Sequence, residues 1–161
     1  MSIEQDIKQP SFRNVYQKAL INLIFTHNYV TEKFRSLLEQ HGLTPQQYNI
    51  LRILRGAGGP LSTLQIRSRM LDKMSDTSRL VDRLIAKGLV SKNLCAKDKR
   101  LVDIQITPAG LKLLKTLDAF DKKLDEIMAN LTEEEARQFS DLLDKIRAGS
   151  TSTCGIHHSP K

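Results

Sequence analysis

From Ser62 to Ile106 the chain runs through signals that few folds accommodate in this order: two short amphipathic helices parted by a tight turn, then two short β-branched segments joined by a charged tip. Ser62-Thr63-Leu64-Gln65 has the serine-to-glutamine spacing of a capping box, so it opens a helix that runs to about Met70 and buries Leu64, Ile66 or Met70. A second helix is expected to begin near Lys73 and to stop at Gly88, which suits a left-handed C-cap, with Lys87 in its last turn. Leu89 to Leu94 and Leu101 to Ile106 then alternate as strands do, with Lys97, Asp98, Lys99 and Arg100 between them. Two such helices followed by a hairpin make a helix-turn-helix with a two-stranded wing.

Charge follows the same boundaries. Arg52 to Lys112 holds thirteen Lys/Arg against five Asp/Glu, an excess of eight in a chain whose net charge is +7. The remaining residues are therefore close to neutral, and the positive character belongs to the middle third. That is the electrostatic footprint of a polyanion binder, double-stranded DNA above all.

The flanks are helical. Phe12 to Leu38 keeps apolar residues at helical spacing (Val15, Tyr16, Ala19, Leu20, Leu23, Ile24), and Ile21, Phe25 and Tyr29 add a second i, i+4 row. A helix apolar over so much of its circumference is expected to pack against a second chain as well as its own. Gly42 ends it, and Thr44-Pro45-Gln46-Gln47 starts the next with a cap, a first-position proline and a capping-box glutamine. Tyr48, Leu51, Ile53 and Leu54 follow, up to the Gly56 to Pro60 turn. Thr107-Pro108 caps a long helix with Leu111, Leu114, Leu117, Phe120, Leu124 and Ile127 on one side; Thr132 to Glu135 opens another, carrying Phe139, Leu142, Leu143 and Ile146. The fold class is thus mainly α, a winged helix-turn-helix with a two-stranded β-wing flanked by N- and C-terminal helices. One domain is expected over residues 1–147, with flanking helices about 11–41 and 108–147 and the winged helix-turn-helix about 44–107. Residues 148–161 hold too little apolar surface to fold.

At 161 residues the chain has enough apolar side chains for a real core and no room for a separate catalytic domain. No apolar run approaches the length of a membrane span, and the polar N-terminus is unlike a signal peptide, so a cytoplasmic protein without membrane contact is expected. Cys95 and Cys154 are not placed for a structural disulfide, and His27, His41, His157 and His158 have no metal-ligand spacing. There is no glycine-rich phosphate loop and no paired catalytic motif, so neither enzyme nor cofactor chemistry is expected.

In this order, Gly-Leu-Thr-Pro-Gln-Gln-Tyr (42–48), Arg-Leu-Val-Asp-Arg-Leu (79–84), Lys-Gly-Leu-Val (87–90), Asp-Lys-Arg (98–100) and Thr-Pro-Ala-Gly (107–110) resemble the MarR family of bacterial winged-helix transcription regulators. The resemblance covers roughly Gly42 to Leu117. It implies that the N- and C-terminal helices, about 11–41 and 108–147, form a dimerisation lobe. It also implies an obligate homodimer built from the first helix and the last two, with one winged helix-turn-helix per subunit, and a repressor on a pseudo-palindromic operator relieved by a small-molecule effector. The effector pocket it implies lies among the first, second and long fifth helices.

On a helical wheel Thr77, Leu80, Val81, Leu84 and Ile85 of the recognition helix face inward, while Ser75, Arg79, Asp82 and Arg83 face outward and Asp76 lies to the side. The N-terminal end of such a helix reaches deepest into the major groove, which makes Ser75, Asp76 and Arg79 the base-edge candidates and Arg83 a phosphate contact. The resemblance assigns Arg100 to the minor groove, with Asp98 holding it in place; Lys99 stands where the family often has a second arginine. Two rival readings are a redox sensor acting through Cys95, flanked by Lys92 and Lys97, and a winged helix used only for protein contacts. The oxidant sensors of the family carry their thiol near the N-terminus, where this chain has none.

Overall fold

The computed structural model describes residues 2–94 and 102–148. They fall into two compact units, one ending at Asp121 and one beginning at Lys122. In the first unit α1 (Ile3–Asp6) precedes the long α2 (Val15–Glu39), and α3 (Pro45–Ala57), α4 (Thr63–Arg69) and α5 (Thr77–Ala86) follow. Strands β1 (Val90–Leu94) and β2 (Val102–Ile106) then pair antiparallel, Val90 opposite Ile106 and Leu94 opposite Val102, and α6 (Pro108–Leu117) leaves the sheet.

The helix starts follow side-chain chemistry. Thr44 Oγ1 accepts from the Gln47 amide at 3.2 Å while Gln47 Oε1 accepts from the Thr44 amide at 3.1 Å; Ser62 and Gln65 make the same reciprocal pair at 3.2 and 2.8 Å. Each cap stabilises its helix by about 1 kcal/mol. At the head of α1, a helix not expected from the sequence, the Ser2 amide donates to Gln5 Oε1 at 3.1 Å, and the helix carries Ile3 into a buried position.

Helix α3 is the hub, packing against α2, α4, α5, α6 and β2. That is why Ile50 is buried beside Tyr48, Leu51 and Leu54 although a single amphipathic face would not require it, while Ile53 is only partly covered. The Tyr48 ring meets Phe34 of α2 edge-on at 5.5 Å, and Arg55 holds Asp118, just past α6, through two bonds of 2.7 and 2.9 Å. This bidentate bond holds the Asp118 carboxyl below its usual range and raises the Arg55 guanidinium.

The wing base is tied to the helices at two points. Leu61 exchanges both backbone bonds with Ile104, at 3.0 and 2.9 Å, so the residue before the N-cap of α4 extends the sheet. Thr107 caps α6 by accepting from the Gly110 amide at 3.1 Å, donates its hydroxyl to the Gly88 carbonyl at 2.7 Å, and places its own amide on the Leu89 carbonyl at 3.0 Å. Gly110 must be glycine here, since a Cβ would stand 2.4 Å from the Leu89 carbonyl oxygen and 2.7 Å from Ile106 Cγ1. Gly88, at φ +69°, supplies the left-handed turn between α5 and β1.

Two expectations need correction. The second helix of the motif starts at Thr77 and not near Lys73, because Asp72 captures the Met74 amide and the Ser75 hydroxyl in a turn and Asp76 then acts as the N-cap. The long helix after Thr107 is also not uniformly α. It tightens to a 3₁₀ turn at Asp118–Phe120, continues as α7 (Asp121–Asp125) and tightens again at Glu126–Met128. The flanking residues Asp118, Asp121 and Asp125 keep right-handed helical torsions, so only the hydrogen-bond spacing shortens, the first time where Arg55 grips Asp118. In the second unit α8 (Glu133–Ala148) buries no residue and exposes Leu142 and Ile146.

Candidate nucleic-acid interface

Helix α5 presents two chemically opposite faces. Thr77, Val81 and Leu84 are buried in the core, with Leu80 and Ile85 partly so, while Ser78, Arg79, Asp82 and Arg83 are exposed. The wheel assigned the faces of the residues inside the helix correctly, but it counted Ser75, which stands before the helix and is half-buried, as part of the outer face, and it left out Ser78. Its signal was its place in the helix's first turn, where little of the chain stands in front of it.

The turn that aims this helix is held by side chains. Asp72 Oδ1 accepts from the Met74 amide at 3.0 Å and Oδ2 from the Ser75 hydroxyl at 2.6 Å, bonds that keep the Asp72 carboxyl below its usual range, the Ser75 hydroxyl contributing most. Asn49 of α3 accepts from the Leu71 amide at 2.9 Å, and Lys73 Nζ donates to the Ser68 carbonyl at 2.6 Å near the end of α4. Asp76 Oδ1 accepts from the Arg79 amide at 3.1 Å, while its other oxygen lies 3.5 Å from Arg79 Nε. Ser75 therefore stands before the helix, Asp76 on its first rung, and Arg79 one turn in with 80% of its side chain exposed. An exposed pair of this kind contributes little to stability, so Arg79 is free to exchange Asp76 for another acceptor.

Arg83 lies farther along, at the edge of a cleft of about 540 Å³ between the α2–α3 corner and the end of α5, walled also by Glu39, Thr44 and Lys87. Lys87 Nζ donates to the Gly42 carbonyl and, at 3.4 Å, to Gln47 Oε1, which fixes the C-terminal end of α5 against that corner. This cleft is not the one implied among the first, second and fifth helices. Lys97, Asp98, Lys99, Arg100 and Cys95 lie outside the described residues. Among the described residues no group of three or more His, Cys, Asp or Glu is arranged to hold a metal, and no helix is long and apolar enough to cross a membrane.

The comparisons agree with this geometry. The MarR family model matches residues 41–101. The HTH-type transcriptional repressor MdtR of Bacillus subtilis is 31% identical over 110 residues, spanning 68% of this chain and 70% of that protein. The regulator MhqR of the same organism is 28% identical over 133 residues, covering 80% and 89%. Among solved structures, a MarR transcription factor from Planctomyces limnophilus superposes with a TM-score of 0.64 at 32% identity, over 83% of this chain and 98% of that one. A mutant MarR from E. coli, crystallised with operator DNA, shares the fold with a TM-score of 0.71 at 21% identity, over 91% and 99%. The chain belongs to the MarR family of winged helix-turn-helix transcription regulators.

Proposed function

We propose that the chain is a cytoplasmic repressor, residues 1–147 acting as one domain, which binds a pseudo-palindromic DNA operator as a homodimer and is released by a small-molecule effector. The observation that carries this reading is the outward face of α5. In the most basic third of a chain from a family of transcription regulators, it offers hydroxyl, carboxylate and guanidinium groups at the end of the helix that enters a major groove. Relatives named as repressors and a family member solved on operator DNA support it.

Within that reading the roles divide by chemistry. Arg79 pairs bidentately with guanine, leaving Asp76 for the base. Asp76 already caps α5 with one oxygen, so its first duty is to hold the helix end and the resting position of Arg79. Ser75 spends its proton on Asp72 and meets a base as an acceptor. Arg83 serves a phosphate, Arg100 enters the minor groove with Asp98 bracing it, and Lys97 and Lys99 add counterion-releasing charge.

Arg79→Ala and Arg100→Ala separate these roles. Arg79→Ala is expected to lose about 1–3 kcal/mol on the best operator and much less once its base pair is changed. Arg100→Ala is expected to weaken binding by a similar factor on most sequences and to flatten the salt dependence by about one released ion per subunit. Titrations over an operator series at several salt concentrations read both. Uniform weakening by Arg79→Ala would make it a phosphate contact, and unchanged affinity in both variants would sink the docking model.

A further inference from the structure

A second cleft, about 490 Å³, opens between the start of α4 and the turn into α5, and Leu64, Met74, Arg67, Ser75 and Ser78 line it. Leu64 is 74% exposed and Met74 is 93% exposed. Single apolar side chains on a surface need no explanation. These two share one cleft, however, in the most basic third of the chain, beside the hydroxyls at the N-terminal end of α5. Apolar carbons there add nothing to phosphate binding. The apolar group that the major-groove edges of B-DNA offer is the C5-methyl of thymine.

Resting on the DNA-binding reading above, we propose that Leu64 and Met74 form a thymine-methyl reading site, next to the polar groups that read hydrogen-bonding edges. Met74 stands two residues before the N-cap of α5, at the end of that helix which reaches base edges. Its unbranched thioether adapts to the methyl's position, and Leu64 closes the other side of the cleft. Arg67 in the same cleft supplies a cation for the phosphate beside the base that is read. The occupant is thus apolar at its centre and anionic at its edge, as a thymine on its backbone is.

The test uses the full-length protein and an operator selected from a random duplex pool. Selection is expected to return a thymine at one symmetric position of each half-site. Replacing thymine by uracil there removes only the methyl and keeps every pairing group, and is expected to weaken binding about fourfold per methyl. Leu64→Ala and Met74→Ala should bind the thymine operator about as weakly as the wild type binds the uracil one, and should barely distinguish the two. Leu71→Ala, whose side chain is 86% exposed and outside the cleft, should keep the full preference. All three side chains are exposed, so the variants should melt like the wild type. A wild type indifferent to uracil at every position, or cleft variants that retain the preference, overturns the proposal while leaving DNA binding intact. Failure of the wild type to retain any selected duplex overturns the DNA-binding reading and this inference with it.

Discussion

Helices α2 and α5 are both amphipathic, yet they solve opposite problems. In α5 the apolar side chains are inside and the exposed face is polar and charged, so the helix is complete within its own chain. In α2, twenty-five residues long, Leu38 alone is fully buried, and Val15, Tyr16, Leu20, Ile24, Phe25 and Tyr29 are exposed, Tyr16 to 81%. Leaving so many large apolar groups in water forfeits roughly 1.5–3 kcal/mol for each that a partner would cover fully. A face of this kind is specified for another protein surface, and a face like that of α5 for something polar. The contrast is between a helix whose apolar face its own chain satisfies and one whose apolar face its own chain leaves in water, the face that a partner would cover in the proposed dimer.

The largest effect is expected from reversing the character of α2. Leu20→Glu combined with Ile24→Glu places two carboxylates per subunit where a symmetric partner would cover them. The fold of the subunit should survive, since both positions are exposed. Sedimentation should show a monomer at concentrations where the wild type is a dimer, and operator affinity should fall about 100-fold or more as the two half-sites cease to be held together. A wild type that is itself monomeric at micromolar concentration would break the comparison at its root.

A smaller effect is expected from Gly110→Ala, which disturbs the self-contained half. The added Cβ collides with the Leu89 carbonyl and with Ile106, so either the start of α6 or the base of the wing has to move. Overpacking of this sort costs about 1–3 kcal/mol, of which about 1 is recovered from alanine's better helix propensity. Thermal or denaturant unfolding measures it. Unchanged stability would mean that the joint between β1 and α6 is loose, and that the recognition half is less complete than its burial indicates.

How much of this could be read in the sequence depends on the range of the interaction. The caps of α3, α4 and α6 are short-range chemistry, written in Thr44, Ser62 and Thr107 and their partners three residues on, and they were legible. The inward face of α5 was legible too, because periodicity alone decides it. Its first residue was not: Asp72 and Asp76 can each cap a helix, and only the Ser75 hydroxyl committing Asp72 to a turn settles which one does. Ile50 was missed because its burial comes from the number of neighbours around α3, a tertiary fact. The tight contact of Gly110 with Leu89 and Ile106 is likewise invisible until the strands are paired, although the motif containing it was noticed. Leu64, read as a core candidate, turned outward because Ile66 and Met70 already fill the inner face of α4.

The smallest effect concerns one atom on the inner face of α5. Thr77 is 3% exposed, and among the described residues its Oγ1 is buried without a hydrogen-bond partner. A hydroxyl in that state costs about 1–3 kcal/mol relative to water, whereas the methyl on the same carbon is well placed. Thr77→Val keeps the branched shape and removes the unpaired oxygen. The expected result is a protein more stable by about 1 kcal/mol, a rise in melting temperature of a few degrees, with operator affinity unchanged. If the valine variant is instead destabilised by a similar amount, the hydroxyl has a partner, and the inner face of α5 is not purely apolar. If it is stabilised but binds the operator less well, Thr77 belongs with Ser75 and Ser78 in the cleft they line together, and the division between an inner face for the core and the outer face proposed for DNA has one exception.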